Sequence, residues 1–261
     1  MKIEFLTQDD PLYVLPFFEE YVRNYFEEFE ILQISAAPTM GKRSRRQLFS
    51  ELRQLYGTRG FARIVSRAAV SRLFGSLPRR CGAGRYYSLA QLSRTYGIPY
   101  RKIDNPNVRE FIEGVRQRAA DLLISVACPF ILKEELLRIA PLGAINIHHA
   151  PLPRYKGMMP TFWQIFHGER TIGLTIHFMT SKVDEGDALM QDEQPIFPGE
   201  TLDHLIQRSK RHGAHCMAGV LRQLSEGSTK PFPLNDSKGS YFTFPSAAEI
   251  AEFHRRGYRA I

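Results

Sequence analysis

Leu122-Leu-Ile-Ser-Val-Ala127 is a nearly continuous apolar run, bounded by Asp121 and by Cys128-Pro129 and too short for a helix. A run of this kind is a strand covered on both faces, which happens where helices flank a mostly parallel sheet. The rest of the chain alternates to match. Lys2–Leu6 reads as a first strand, and Asp9-Asp10-Pro11 as a helix start with acidic caps and proline at the first helical position. Leu12, Leu15, Phe18 and Tyr21 then keep helical spacing, and Phe29–Ser35 is a second strand. Further helices are expected near 88–96, 108–119, 134–139 and 160–167, with strands at 99–103, 144–148, 173–179 and 188–196. Leu202, Leu205, Ile206, Met217, Val220, Leu221 and Leu224 mark a long helix. The expected fold is α/β, a Rossmann-like, doubly wound, mostly parallel sheet with a helical insertion and a short C-terminal extension. The tail around Tyr241–Ile250 and Phe253–Tyr258 is apolar enough to pack back.

The insertion spans about 42–85 and reads as a helical hairpin. One stripe runs Leu48, Phe49, Leu52, Leu55 and Tyr56; after Gly57-Thr-Arg-Gly60 a second runs Phe61, Ile64, Val65, Ala68 and Leu73. Between Lys42 and Arg85 twelve basic residues stand against one acid, Glu51, so this segment carries +11 of a chain whose total is +8. A solvated helical face, a phosphate-binding surface, and a membrane-surface or oligomer contact (a homodimer, for example) are its three readings. It lacks interleaved exposed aromatics, which argues against RNA.

Cys81, Cys128 and Cys216 form no CxxC pair, which argues against a disulfide framework or a structural zinc site. No apolar run reaches membrane-spanning length, and Met1–Asp10 does not read as a signal peptide, so a cytoplasmic protein is expected.

The chemistry concentrates in two places. On the strand 144–148, Asn146 and His148 share one face while Ile145 and Ile147 take the other. An amide and an imidazole are costly to bury idle at the end of an apolar strand. They suit carbonyl-group transfer, as a neutral donor to an oxyanion and a group that exchanges a proton near neutral pH. Asp184 follows in a loop that Gly186 frees to turn.

Asn146-Ile-His148, Leu152-Pro-Arg-Tyr-Lys-Gly157, the aromatic-rich Pro160–Gly168, Gly173-Leu-Thr-Ile-His177 and Asp184-Glu-Gly186 occur in the order and spacing of the folate-dependent formyltransferases, which the chain resembles from Asn146 to Gly186 and more weakly from Asp121. His149-Ala150-Pro151 departs from the family's usual turn, with His149 read as a spacer. The resemblance implies a metal-free reaction with 10-formyltetrahydrofolate as formyl donor. It implies Asn146, His148 and Asp184 as catalytic residues, and pterin contacts from Cys128, Phe130, Ile131 and Leu132 and from Val183, Glu185 and Gly186. Phe130–Leu132 also read as plain core. Tyr155, Lys156 and Gly157 are candidate acceptor contacts, as is His177, whose other reading is structural; His167 ends a helix. Four histidines invite a metal reading, but no spacing resembles a ligand set, so no metal is expected.

The layout suggests a catalytic domain over 1–200 and a C-terminal helix with an extension over 201–261. The acceptor is expected to be a small-molecule amine that can carry phosphate, by elimination the amine of a nucleotide-linked sugar. Glycinamide ribonucleotide would want a glycine-rich first loop; tRNA-bound methionine would want a second full domain. A hydrolase releasing formate and a non-catalytic folate binder are the other classes.

Overall fold

The computed structural model describes residues 1–38, 45–82 and 84–261. Lys42 and Arg43 of the basic segment lie outside the described residues, as does the side chain of Arg45. In chain order the elements begin with β1 (Lys2–Gln8), α1 (Leu15–Tyr25), β2 (Glu30–Ala37), α2 (Arg45–Phe74), α3 (Leu89–Thr95) and β3 (Tyr100–Lys102). They continue with α4 (Arg109–Arg118), β4 (Leu122–Val126), α5 (Glu134–Leu137), β5 (Ala144–His148), β6 (Lys156–Gly157) and α6 (Pro160–Phe166). The last are β7 (Thr171–Phe178), β8 (Ala188–Pro195), α7 (Leu202–Ser225), β9 (Tyr241–Phe242) and α8 (Ala247–Arg255).

Seven strands form one sheet in the order β3-β2-β1-β4-β5-β7-β8. The strands from β3 to β5 run parallel, and β7 lies antiparallel between β5 and β8. The mostly parallel α/β fold expected from the alternation is therefore observed. The strand order reverses between β1 and β4, the place where doubly wound sheets open a crevice at their C-terminal ends.

Burial explains the layering. Phe5, Phe17, Tyr21, Ile124, Ile145, Ile147, Met217 and Val220 belong to one cluster, which joins α1 and α7 to one face of the sheet. Leu6, Phe111, Val115, Leu123, Leu136 and Ala144 form another on the opposite face, under α4 and α5. The one carboxylate on β1, Glu4, is fully buried and receives Nε and Nη2 of Arg118 at 2.9 and 2.8 Å. A paired guanidinium is what makes an acid tolerable there.

A third cluster lies beside the sheet. Leu55, Tyr56 and Ile64 of α2 meet Phe162 and Trp163 of α6, Leu202 and Leu205 of α7, and Ile250 and Phe253 of α8. The tail thus packs back, and β9 pairs with β6. The hairpin turns at Gly57 alone (φ 65°, ψ 174°), not over four residues, and its arms meet where the rings of Phe49 and Phe61 lie 5.7 Å apart. Its apolar stripes are only partly inward. Leu55, Tyr56 and Ile64 are buried, whereas Phe49, Val65, Leu73 and Phe74 are exposed, so against the sequence expectation the hairpin does present aromatic rings among its arginines. The arm rests on the body along a narrow line, anchored by Arg67 Nη1 on Asp203 Oδ1 at 2.7 Å and by the Tyr56 hydroxyl, 2.5 Å from the Tyr13 hydroxyl, which itself donates to the same Asp203 oxygen at 2.9 Å.

The start of α1 also differs from expectation. The helix begins at Leu15, and Asp10 caps the preceding turn, its Oδ1 accepting the Leu12 and Tyr13 N–H groups at 2.8 and 3.1 Å.

Candidate active site

The register of β5 on β7 assembles the polar residues. Asn146 stands opposite His177 and His148 opposite Thr175, and opposed side chains on an antiparallel pair share a face. Ile145 and Ile147 point into the α7 side, so the polar set looks out from the α4–α5 side. Gly173 precedes them on β7 because a Cβ there would stand 2.5 Å from Pro151. The Thr175 hydroxyl donates to Ala150 O at 2.7 Å and accepts the Leu152 N–H at 3.0 Å, which pins the turn after His148.

The partners assign the protons. His148 Nε2 lies 2.8 Å from Tyr155 O, and since a carbonyl only accepts, Nε2 carries the hydrogen. That leaves Nδ1 facing Asp184 Oδ2 at 3.5 Å as the nitrogen available for proton exchange. His177 Nδ1 donates to Phe178 O at 2.8 Å, so its Nε2 is the acceptor for the Asn146 amide N–H at 3.2 Å. Burial depresses the His177 imidazole to about 4, which keeps it neutral near pH 7. Its 3.8 Å approach to Asp184 Oδ1 is thus proximity and not an ion pair. The Asn146 Nδ2 group retains its second hydrogen, and the first fixes the amide's orientation.

Asp184 is brought inward by its loop. Its own φ is 51°, in the left-handed region, and Gly186 sits so close to β7 that a Cβ would lie 2.0 Å from Phe178 O. Its Oδ2 also accepts the Gly157 N–H at 2.8 Å. Gly157 has φ 93°, and a Cβ there would stand 2.3 Å from Phe242 O. The site's floor therefore depends on the tail, where Ser240 Oγ accepts the Tyr155 N–H at 2.8 Å and Ser240 O accepts the Lys156 N–H at 2.8 Å.

Asn146, His148, Asp184 and His177 are thus brought together. Gly157 joins them through its N–H and Tyr155 through its carbonyl; the Tyr155 hydroxyl turns away to Glu169 at 2.7 Å and its ring stacks on Phe242. Lys156 pairs with Glu185, Nζ to Oε1 at 3.0 Å. Lys156, Val183 and Glu185, with Gly239, Ser240 and Tyr241, line a cleft of about 450 Å³ next to Asp184. A somewhat larger depression of about 560 Å³, lined by Pro78–Gly82, touches none of these groups. Leu132 is core, and Phe130 and Cys128 pack at the edge of the same cluster as Met179. Ile131 is 61% exposed. Burial pushes the Cys128 thiol up to about 11.

His149 is buried, with Nδ1 2.7 Å from Ser209 Oγ, so it packs under α7 and not in the polar set. Sequence reasoning missed Asn107, whose Nδ2 donates to Ile131 O at 2.9 Å and whose Oδ1 accepts the Lys133 N–H at 2.7 Å, bracing the loop. It missed Ser240 too. Neither sits in a motif, and an isolated Asn or Ser carries no periodic signal.

Residues 90–221, just over half of the chain, match the family model described as formyl transferase. The chain belongs to the formyl transferase family. Methionyl-tRNA formyltransferases of Pelobacter propionicus and Syntrophus aciditrophicus are each 36% identical to it, over 151 and 149 residues. These alignments cover 58% and 56% of this chain and 47% of each relative, so the chain spans about half the length of the curated relatives it matches. In fold, the chain is similar to glycinamide ribonucleotide transformylase 1 from Symbiobacterium toebii (TM-score 0.61, 17% identity, 90% of this chain and 94% of that one). A sugar N-formyltransferase from a Shewanella species is also similar (TM-score 0.56, 19% identity, 93% and 76%).

Proposed function

We propose that the chain transfers a formyl group from 10-formyltetrahydrofolate to a primary amine, with Asn146, His148 and Asp184 as catalytic residues and His177 as a positioning residue. The observation that carries this reading is the convergence of four polar side chains at the ends of β5 and β7 with their protons already assigned. The folate derivative supplies the formyl carbon and a leaving nitrogen. As the amine attacks that carbon, negative charge grows on the formyl oxygen, and the free Asn146 N–H is the neutral donor for it. A donor of this kind contributes roughly a hundred- to a thousandfold in rate. His148 Nδ1 takes the amine proton, and Asp184 beside it stabilises the imidazolium while Tyr155 O holds the ring. Return of a proton to the departing nitrogen balances the reaction.

The surroundings fit such a donor. An exposed Ile131 and the partly buried Phe130 offer apolar cover for a planar ring. The backbone of 182–186 and the cleft lined by Val183 and Glu185 lie beside Asp184. We infer a small-molecule, phosphate-bearing amine, most simply a nucleotide-linked amino sugar, as acceptor, with the arginine hairpin supplying the attraction. A second reading, the amine of methionyl-tRNA, is favoured by the 36% identity to methionyl-tRNA formyltransferases over half of their length. Incubation with 10-formyltetrahydrofolate and, in turn, a nucleotide-linked amino sugar, methionyl-tRNA or no amine separates these. Formylated sugar supports the first reading and formylated tRNA the second. Formate without amine indicates a hydrolase, and no turnover in any arm removes the catalytic reading.

A further inference from the structure

We propose that Asp192, His212 and Cys216 bind one divalent transition-metal ion of the zinc type, on the face of the sheet opposite the reaction centre. His212 and Cys216 are one turn apart on α7 and so project side by side. Asp192 lies on β8, next to Gln191, whose Nε2 donates to Leu152 O and Thr175 Oγ1 on the reaction-centre side. Strand alternation sends Asp192 the other way, to meet α7.

Cys216 Sγ is 3.4 Å from His212 Nε2 and 3.7 Å from Asp192 Oδ2, and the His212–Asp192 separation is 2.6 Å. Tetrahedral zinc with sulfur at about 2.3 Å and nitrogen or oxygen at about 2.0 Å places its ligand atoms roughly 3.3–3.6 Å apart. The Cys216–His212 separation falls in this range, and the Cys216–Asp192 separation of 3.7 Å lies just outside it. The third opens by a small rotation of side chains that are 30% and 39% exposed. Asp192 Oδ1 accepts the Glu193 N–H at 2.8 Å, which orients Oδ2 toward the pair, the kind of outer contact that fixes a metal ligand. Cys216 is buried against Met217 and Val220, so the site is closed on its core side and open to water on the other.

A mixed sulfur, nitrogen and oxygen set selects zinc-like ions over magnesium or calcium, which demand oxygen. Binding replaces the S–H bond by a metal–sulfur bond, and the thiol proton leaves to solvent. The bound ion ties β8 to α7; the formyl-transfer residues do not touch it.

The test uses the full chain, stripped with chelator, reduced and titrated with Co²⁺. The expected result is saturation at one Co²⁺ per chain with a thiolate-to-cobalt charge-transfer band, displaced by Zn²⁺. Cys216→Ser removes that band, Cys81→Ser keeps it, and His212→Ala, at a half-exposed position that leaves the core intact, weakens binding by at least about tenfold. No charge-transfer band in the parent overturns the proposal. So does a band surviving in Cys216→Ser, or unchanged Co²⁺ affinity in folded His212→Ala.

Discussion

Replacing His177 by glutamine should make the protein less sensitive to acid. The His177 side chain is only 3% exposed, and burial lowers its imidazole from 6.5 to about 4. A histidine whose folded value is depressed leaves the unfolded chain binding more protons over that interval. Its stability contribution is therefore complete above 6.5, falls as pH drops through the window from 6.5 to 4, and falls no further below it. Between pH 7 and pH 5 the linkage integral for these two values is about 2 kcal/mol. His149, buried and held well below 6.5 by desolvation, contributes in the same direction, so the parent's slope is steeper than His177 alone would make it. The difference between parent and variant isolates His177. Glutamine keeps an acceptor for the Asn146 N–H but has no proton to take up. Urea unfolding of both proteins at pH 7 and pH 5 should show the parent losing about 2 kcal/mol more than His177→Gln. Equal losses would mean that the imidazole is not buried neutral, and the proton assignment around Asn146 would go with it.

Gly157→Ala should destabilise the chain and depress kcat, because its Cβ would lie 2.3 Å from Phe242 O at φ 93° and would move the N–H that holds Asp184; urea unfolding and turnover measure the two effects. Neutralising Arg45, Arg46 and Arg53 together should raise the acceptor KM and flatten its salt dependence while the donor KM stays put, as measured at two salt concentrations; unchanged values would reduce these arginines to solvated surface charge. Chelation should lower Tm through the Asp192–His212–Cys216 site without slowing turnover at moderate temperature; loss of activity restored by zinc would place a metal in the reaction.

The strand and helix order was legible because the apolar periods differ so plainly, with the nearly continuous run at 122–127 against the 3.6-residue stripes of α1 and α7. The shared face of Asn146 and His148 followed from strand alternation alone. Sequence alone leaves His177 between two readings, because its neutrality comes from burial and its place beside Asn146 from the β5–β7 register, neither of which a single segment encodes. The motif points to the Tyr155 side chain, yet the structure uses its carbonyl, and backbone atoms leave no mark on residue identity. The hairpin's exposed Val65 and Leu73 fit a helical stripe in sequence, but among the described residues the contact with the body centres on Leu55, Tyr56 and Ile64 and leaves those two side chains outside it. The two-residue pairing of β6 with β9 is too short to show any period at all.

The claim that Asn146, His148 and Asp184 act as one transfer unit is tested most directly by kcat with 10-formyltetrahydrofolate and the best acceptor. The comparison needs Asn146→Ala, His148→Ala, Asp184→Ala and the triple variant, each shown folded by circular dichroism. The account predicts that every single variant falls to below about a tenth of the parent rate. It also predicts that the triple variant is barely worse than the weakest single one, since the three serve the same step. Single variants that keep more than about a tenth of the parent rate, or losses that multiply in the triple variant, would contradict it.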